Sequence, residues 1–215
     1  MNTMMAARPP ARSRNSQPSE DGIAQYLAAT ETIDNLVADG YLVRHDGRLI
    51  ARQLRAPQLR QALTYSVCHT ARPDVDDFYQ ADGEPDTDWS RRCAATARSH
   101  CSACPVRAAC AELALRDSDT DGIRGGLTPE KLQTRLLAEA HELARARAED
   151  QRAAREQQAR IAAAVEVQHL ARQYLGGSIP ANKREENRTA IATAVRRRDE
   201  LLEAHRLATG WTQAA

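Results

Sequence analysis

No stretch of this chain approaches the roughly 18 consecutive apolar residues of a membrane span, which argues against a helical membrane protein. Residues 1–18 hold arginines and prolines but no apolar core, so they do not read as a secretory signal. A cytoplasmic location is the resulting expectation. Aromatic residues are scarce, at 4% of 215 residues, and hydrophobic residues make up 42%. That composition argues against one large core. Catalytic signatures are also missing: there is no glycine-rich phosphate loop, no His-Glu zinc motif and no nucleophile elbow. The chain is therefore not expected to be an enzyme. No internal repeat is evident.

Charge of either sign is nearly balanced, with a formal net charge of +1. The balance hides a division. Residues 66–127 hold 7 basic against 11 acidic residues, residues 128–215 hold 15 against 12, and residues 1–65 hold 8 against 6. An acidic centre thus lies between two mildly basic flanks, neither basic enough to establish nucleic-acid binding by charge alone.

Cysteine is the residue type that is present in a telling pattern. Cys68, Cys101, Cys104 and Cys110 have the spacing C-x32-C-x2-C-x5-C, and Gly122-Ile123-Arg124-Gly125-Gly126 follows as a glycine turn. In a reducing compartment, cysteines so spaced are ligands or redox thiols rather than staples. Thiolates are soft donors, and four of them select zinc or an iron–sulfur cluster. A single C-x2-C knuckle with one thiol on either side suits a cubane cluster better than zinc. Zinc and a redox C-x2-C pair stay open as alternatives. The fifth cysteine, Cys93, lies eight residues before Cys101. On one helix that separation is about 12 Å, too far to share a centre comfortably, so Cys93 reads as a small buried residue or, in metal-free protein, as a redox partner for one of the four thiols.

Residues 1–20 read as a disordered tail, with few apolar residues to bury. Residues 21–60 read as one or two helices, Ile23 to Leu42, followed by a β-hairpin turning at Asp46-Gly47, since Asp-Gly between apolar pairs is a strong hairpin signal. Helix plus hairpin partly resembles the end of a winged-helix module, and the plainer reading is a small helix-hairpin that packs on the central module. Asp88 is expected to cap a helix from about Trp89 to His100, and Pro105 to open the helix that carries Cys110. Thr128-Pro129-Glu130 reads as the start of a long helical stretch to about Leu175, with Gly176-Gly177 ending it. A second helix, from about Arg184 to Ala208, could close with the first as a hairpin through Ile161, Val165, Leu170 and Tyr174 on one side. Ile191, Val195 and Leu202 lie on the other.

The segment Cys101-Ser102-Ala103-Cys104-Pro105-Val106-Arg107-Ala108-Ala109-Cys110, with Cys68 before it, Asp77-Phe78-Tyr79 and the glycine turn, resembles the WhiB-like family of actinobacterial regulators over residues 65–135. The resemblance implies one [4Fe-4S] cluster per chain, bound by Cys68, Cys101, Cys104 and Cys110 in a small all-helical module. It implies transcriptional regulation through DNA, a sigma factor of RNA polymerase, or both, with a response to nitric oxide or redox state, and disulfides among the ligand cysteines once the cluster is lost. Arg124 stands where the family carries tryptophan, which counts against sigma-factor binding, although Phe78, Tyr79 and Trp89 offer aromatic contact. Arg124 itself reads as a salt-bridged surface residue or a phosphate contact.

The expected fold is thus mainly α: a four-cysteine module at residues 65–135, an N-terminal helix-hairpin extension and a charged helical extension over residues 136–215. Lys131, Arg135 and the run Arg196-Arg197-Arg198 are candidates for DNA contact, and the C-terminal helices for self-association. Two functions from other classes compete: a protein thiol-disulfide oxidoreductase using Cys101 and Cys104, and a zinc-stapled helical adaptor.

Overall fold

The computed structural model describes residues 19–43, 47–175 and 180–208. Most of the expected N-terminal tail, the Gly176-Gly177 break and residues 209–215 lie outside them. Among the described residues the fold is mainly α, with ten α-helices and no strand. In order they are α1 (Glu20–Thr30), α2 (Ile33–Ala38), α3 (Gly47–Gln53), α4 (Ala56–Leu63), α5 (Val67–Ala71), α6 (Asp86–Thr96), α7 (Arg107–Asp117), α8 (Pro129–Ala138), α9 (Ala140–Leu175) and α10 (Ala181–Ala208). Two compact units are present, Met1–Ala146 and Arg147–Ala215.

The expected hairpin over Tyr41–Ile50 is not formed. Tyr41–Val43 make a turn and Gly47–Gln53 are helical, while residues 44–46 lie outside the described set. Burial overrode the turn signal. Ile50, Ala51 and Leu54 lie on one helical face, and Leu42 joins them in a core with Ala24, Leu36 and Leu59. Gly47 also sits where a Cβ would come within 2.6 Å of the Tyr41 carbonyl oxygen, so the close approach needs glycine. Among the described residues no strand of a winged-helix element is present.

That core is shared with the cysteine segment. Cys104, Val106, Ala109 and Leu113 complete the same cluster. Ala108 N–H donates to Leu42 O (3.1 Å), and Arg107 Nη2 donates to Val43 O (3.3 Å). The N-terminal helices are thus a wall of the module rather than an appendage. A buried ion pair strengthens the junction. Arg116 Nε donates to Glu112 Oε1 at 2.9 Å, while its Nη1 and Nη2 donate to Leu54 O (2.8 Å) and Arg52 O (2.9 Å). On the other side of α7, Leu115 packs with Leu132 and Leu143, which fixes α8 and the start of α9.

α8 begins as expected, with Thr128 at its N-cap and Pro129 in its first turn. The long helical stretch is broken at Glu139, which ends α8 and points into a cluster of arginines. Arg48, Arg52 and Arg135 all donate to its carboxylate. Two smaller expectations are corrected. α6 starts at Asp86 after an N-cap at Pro85, so Asp88 lies in the first turn rather than capping. α7 starts at Arg107, two residues after Pro105.

In the second unit, Glu166 of α9 and Arg197 of α10 approach to 3.9 Å and both line a shared groove. The buried positions are Ala163 and Ala194. Ile161 and Val165, expected inside the helix pair, are 55% and 56% exposed. Small alanine side chains let the helices meet where they are buried, and the larger β-branched residues face outward.

Candidate metal centre

Three segments bring the four cysteines to one cavity. Cys68 rides on the short helix α5, capped by Ser66, whose hydroxyl accepts from the His69 N–H at 3.1 Å. Cys101 ends a π-helical turn, Ala97–Cys101, that extends α6. Such widened turns recur at functional sites because they re-aim a side chain without breaking the helix. Cys104 follows in the loop, and Cys110 lies in the first turn of α7.

All four line a cavity of about 280 Å³, with Phe78, Tyr79, His100, Ile123, Arg124 and Gly125 among the other walls. Cys101 and Cys104 are buried, Cys110 half-buried and Cys68 exposed. Their thiols are close enough to influence one another. Burial pushes the Cys68, Cys101 and Cys110 thiols up, Cys110 to about 12, and neighbouring cysteines add to the rise in each. Uncompensated thiolates therefore cannot accumulate here, whereas a cationic core would hold them together.

The glycine turn supplies the opposing influence. Gly126 N–H donates to the Cys101 sulfur and Gly125 N–H to that of Cys110, each favouring the thiolate. Arg124 and Leu127 exchange both backbone hydrogen bonds, at 3.1 and 2.9 Å, across Gly125 and Gly126. Both glycines have positive φ, 56° and 77°, as a tight turn of this type requires. A Cβ on Gly125 would also come within 2.3 Å of the Arg107 carbonyl oxygen. Gly122 pairs with Tyr79, and Ile123 N–H donates to Phe78 O (3.0 Å), which ties the turn to the acidic segment.

That segment is fastened by Arg92. Its guanidinium donates to Asp76 O (2.9 Å), Tyr79 O (2.7 Å) and the Glu84 carboxylate, and lies 4.7 Å from the Trp89 ring centre. Phe78 and Trp89, expected as an aromatic docking surface, are instead 8% and 4% exposed. They pack with Cys93, Cys101 and Ile123 because this small cluster has few other large side chains to fill it. Tyr79 is half-buried on the cavity wall. Cys93 is buried in the same cluster, does not line the cavity, and burial pushes its thiol up to about 11.

Arg124 is salt-bridged, as one of its two readings had it, but its side chain is only 20% exposed. Nε donates to Asp119 Oδ2 (2.8 Å), Nη1 to Ile123 O (3.2 Å) and Nη2 to the Tyr79 hydroxyl. Of the cations named for DNA contact, Lys131 and Arg196 are exposed. Arg135 is paired with Glu139, Arg197 approaches Glu166, and Arg198 is paired with Asp199. Sequence reasoning missed the two sulfur-directed N–H groups and the grip of Leu42 and Val43 on the cysteine segment. Only the glycine pair signalled the former, and nothing local signalled the latter.

Residues 63–134 match the family described as transcription factor WhiB. This region is similar to the WhiB family. All four cysteines and the glycine turn fall within the matched residues. The match supports a transcription-factor role. No curated protein and no solved structure matches the chain. No helix among the described residues is long and apolar enough to cross a membrane.

Proposed function

We propose that this WhiB-like chain is a transcriptional regulator of the cytoplasm whose WhiB-like region, residues 63–134, holds a [4Fe-4S] cluster through Cys68, Cys101, Cys104 and Cys110. The observation that carries the reading is the meeting of four thiols from three segments around one cavity. Among the described residues no three His, Cys, Asp or Glu side chains gather as a single-ion set. Thiols spread around a space suit a polynuclear centre better than one zinc ion, whose ligands sit about 2.3 Å away. When bound, the cluster supplies a redox-active and nitric-oxide-reactive centre. The chain's residues supply the rest: Gly125 and Gly126 stabilise the anionic sulfurs, and Phe78 and Ile123 keep the wall apolar.

The coupling to regulation is mechanical. Cys104 belongs to the core that α1 to α4 share with α7. Releasing four ligands from three segments loosens that core and changes what the chain presents to DNA, nitric oxide and redox state being the signals. Lys131 and Arg196 are the exposed cations best suited to phosphate contact. A sigma-factor contact, if made, does not run through the rings of Phe78 and Trp89 in this conformation. The oxidoreductase alternative is disfavoured by the burial of Cys101 and Cys104, 7% and 6% exposed, since attack on a disulfide needs access.

Anaerobic purification or reconstitution with iron, sulfide and zinc analysis tests the reading. About four irons and four sulfides per chain, lost on replacing any one of the four cysteines but not Cys93, is the expected result. Stoichiometric zinc without iron would sink it in favour of the adaptor.

A further inference from the structure

The cavity that holds the four thiols has one fixed cation in its wall. Among the described residues, Arg124 is the only arginine or lysine that lines the cavity, and no carboxylate lines it. Its side chain is 20% exposed and held from several directions: Asp119, the Ile123 carbonyl, the Tyr79 hydroxyl, and the Tyr79 ring, whose centre is 5.1 Å from the guanidinium carbon. A cation so tethered cannot swing away to solvent. Its charge reaches two of the four sulfurs, those of Cys68 and Cys110, where it opposes the effect of burial. Asp119 lies outside the lining and offsets part of that charge.

We propose that Arg124 is a positioning residue for the centre: its tethered charge raises the potential at which a four-thiolate cluster in this cavity accepts an electron. The inference rests on the cluster reading above. The step is a one-electron reduction by a low-potential reductant, dithionite in the test. The electron enters the cluster, no bond forms or breaks at Arg124, and its proton stays in place. The added negative charge sits in a water-poor cavity, where a nearby cation acts more strongly than in bulk water. Asp119 sets how much of that charge the cluster feels.

The test is a potentiometric titration with dithionite, followed by electron paramagnetic resonance, on the reconstituted full chain and on R124Q, R124K and D119N. Iron and sulfide are measured in each. The expected result is a lower midpoint potential in R124Q, a value near wild type in R124K and a higher one in D119N. Opposite signs for R124Q and D119N distinguish charge from mere loosening of the turn, which would move both the same way. Full iron and sulfide with equal potentials in wild type and R124Q would overturn this proposal alone. Wild-type protein without iron or sulfide would overturn the cluster reading, and this proposal with it. Should R124Q fail to hold iron, D119N decides: a higher potential supports the role of Arg124, and an unchanged or lower one overturns it.

Discussion

The described residues of 19–146 and those of 147–208 are both mainly helical, yet they are held in different ways. In the first stretch the helices are short, and Leu36, Leu42, Ile50, Leu54, Leu59 and Val106 are fully enclosed. Ion pairs there are drawn inside: Arg116 and Glu112 are 3% exposed in their side chains. In the second stretch the helices are long, the buried positions are alanines, and the ion pairs Arg152–Glu156 and Arg188–Glu185 stand at the surface, one turn apart. Short helices depend on tertiary burial, because isolated helices below about 12–15 residues are marginal in water. Long ones draw more on their own hydrogen bonds and local charge pairs. Bringing four thiols to one cavity needs the former, since side chains from three segments must be placed against one another.

Four substitutions probe that contrast. The largest effect is expected at Arg116. Arg116→Met leaves Glu112 buried without its cation and lowers stability by about 4 kcal/mol, measured by urea unfolding of the full chain. Glu112 Oε2 already has no hydrogen-bond partner among the described residues, so nothing nearby compensates. A loss below about 1 kcal/mol, the range of an exposed pair, would place this pair on a par with those of α9 and α10. Next, Leu59→Ala opens a void in the shared core and costs about 3 kcal/mol. Hydrogen exchange should quicken in α7 as well as in α4, because Leu59 shares its cluster with Ala109 and Leu113. Faster exchange confined to α4 would show the N-terminal helices to be independent of the cysteine segment.

Glu139 gives a pH-dependent effect of intermediate size. Burial acts to raise its carboxyl, but hydrogen bonds from Arg135, Arg52 and Arg48 outweigh it and hold the group at about 2, against an ordinary 4.5. A carboxylate depressed in the folded chain stabilises it fully above its unfolded value and loses that contribution as it is protonated. Stability should therefore fall between pH 4.5 and about 2. Glu139→Gln should cost about 2 kcal/mol at neutral pH and flatten that acid limb. An unchanged limb would assign the acid sensitivity to other carboxylates.

The smallest effect carries the opposite sign. Ile161→Ala should gain a few tenths of a kcal/mol, because alanine is the better helix former and little packing is lost at an exposed site. A loss greater than about 1 kcal/mol that grows with dilution would mean that a second copy covers this face of α9. That outcome would support the self-association considered for the C-terminal helices.

The cysteine spacing and the glycine turn were legible because each is a local covalent pattern with few physical uses. They named the four thiols that share the cavity, and Thr128-Pro129 named the start of α8. The Asp46-Gly47 signal misled because a two-residue turn preference is worth less than burying Ile50, Ala51 and Leu54 against α7. Phe78 and Trp89 were read as surface because sequence shows an aromatic without showing what surrounds it. Arg124 was legible as a departure from a family pattern, but its place in the cavity wall was not.

By itself, then, the sequence determined which four thiols share the cavity, the helical class and the turn that only glycine can make, since each follows from residue type and short spacing. Tertiary structure alone decided that Leu42 and Val43 accept hydrogen bonds from Ala108 and Arg107, that Phe78 and Trp89 are buried, and that Arg124 lines the cavity with the thiols. Those three depend on contacts between residues far apart in the chain, where burial and charge are settled jointly by all the elements that meet.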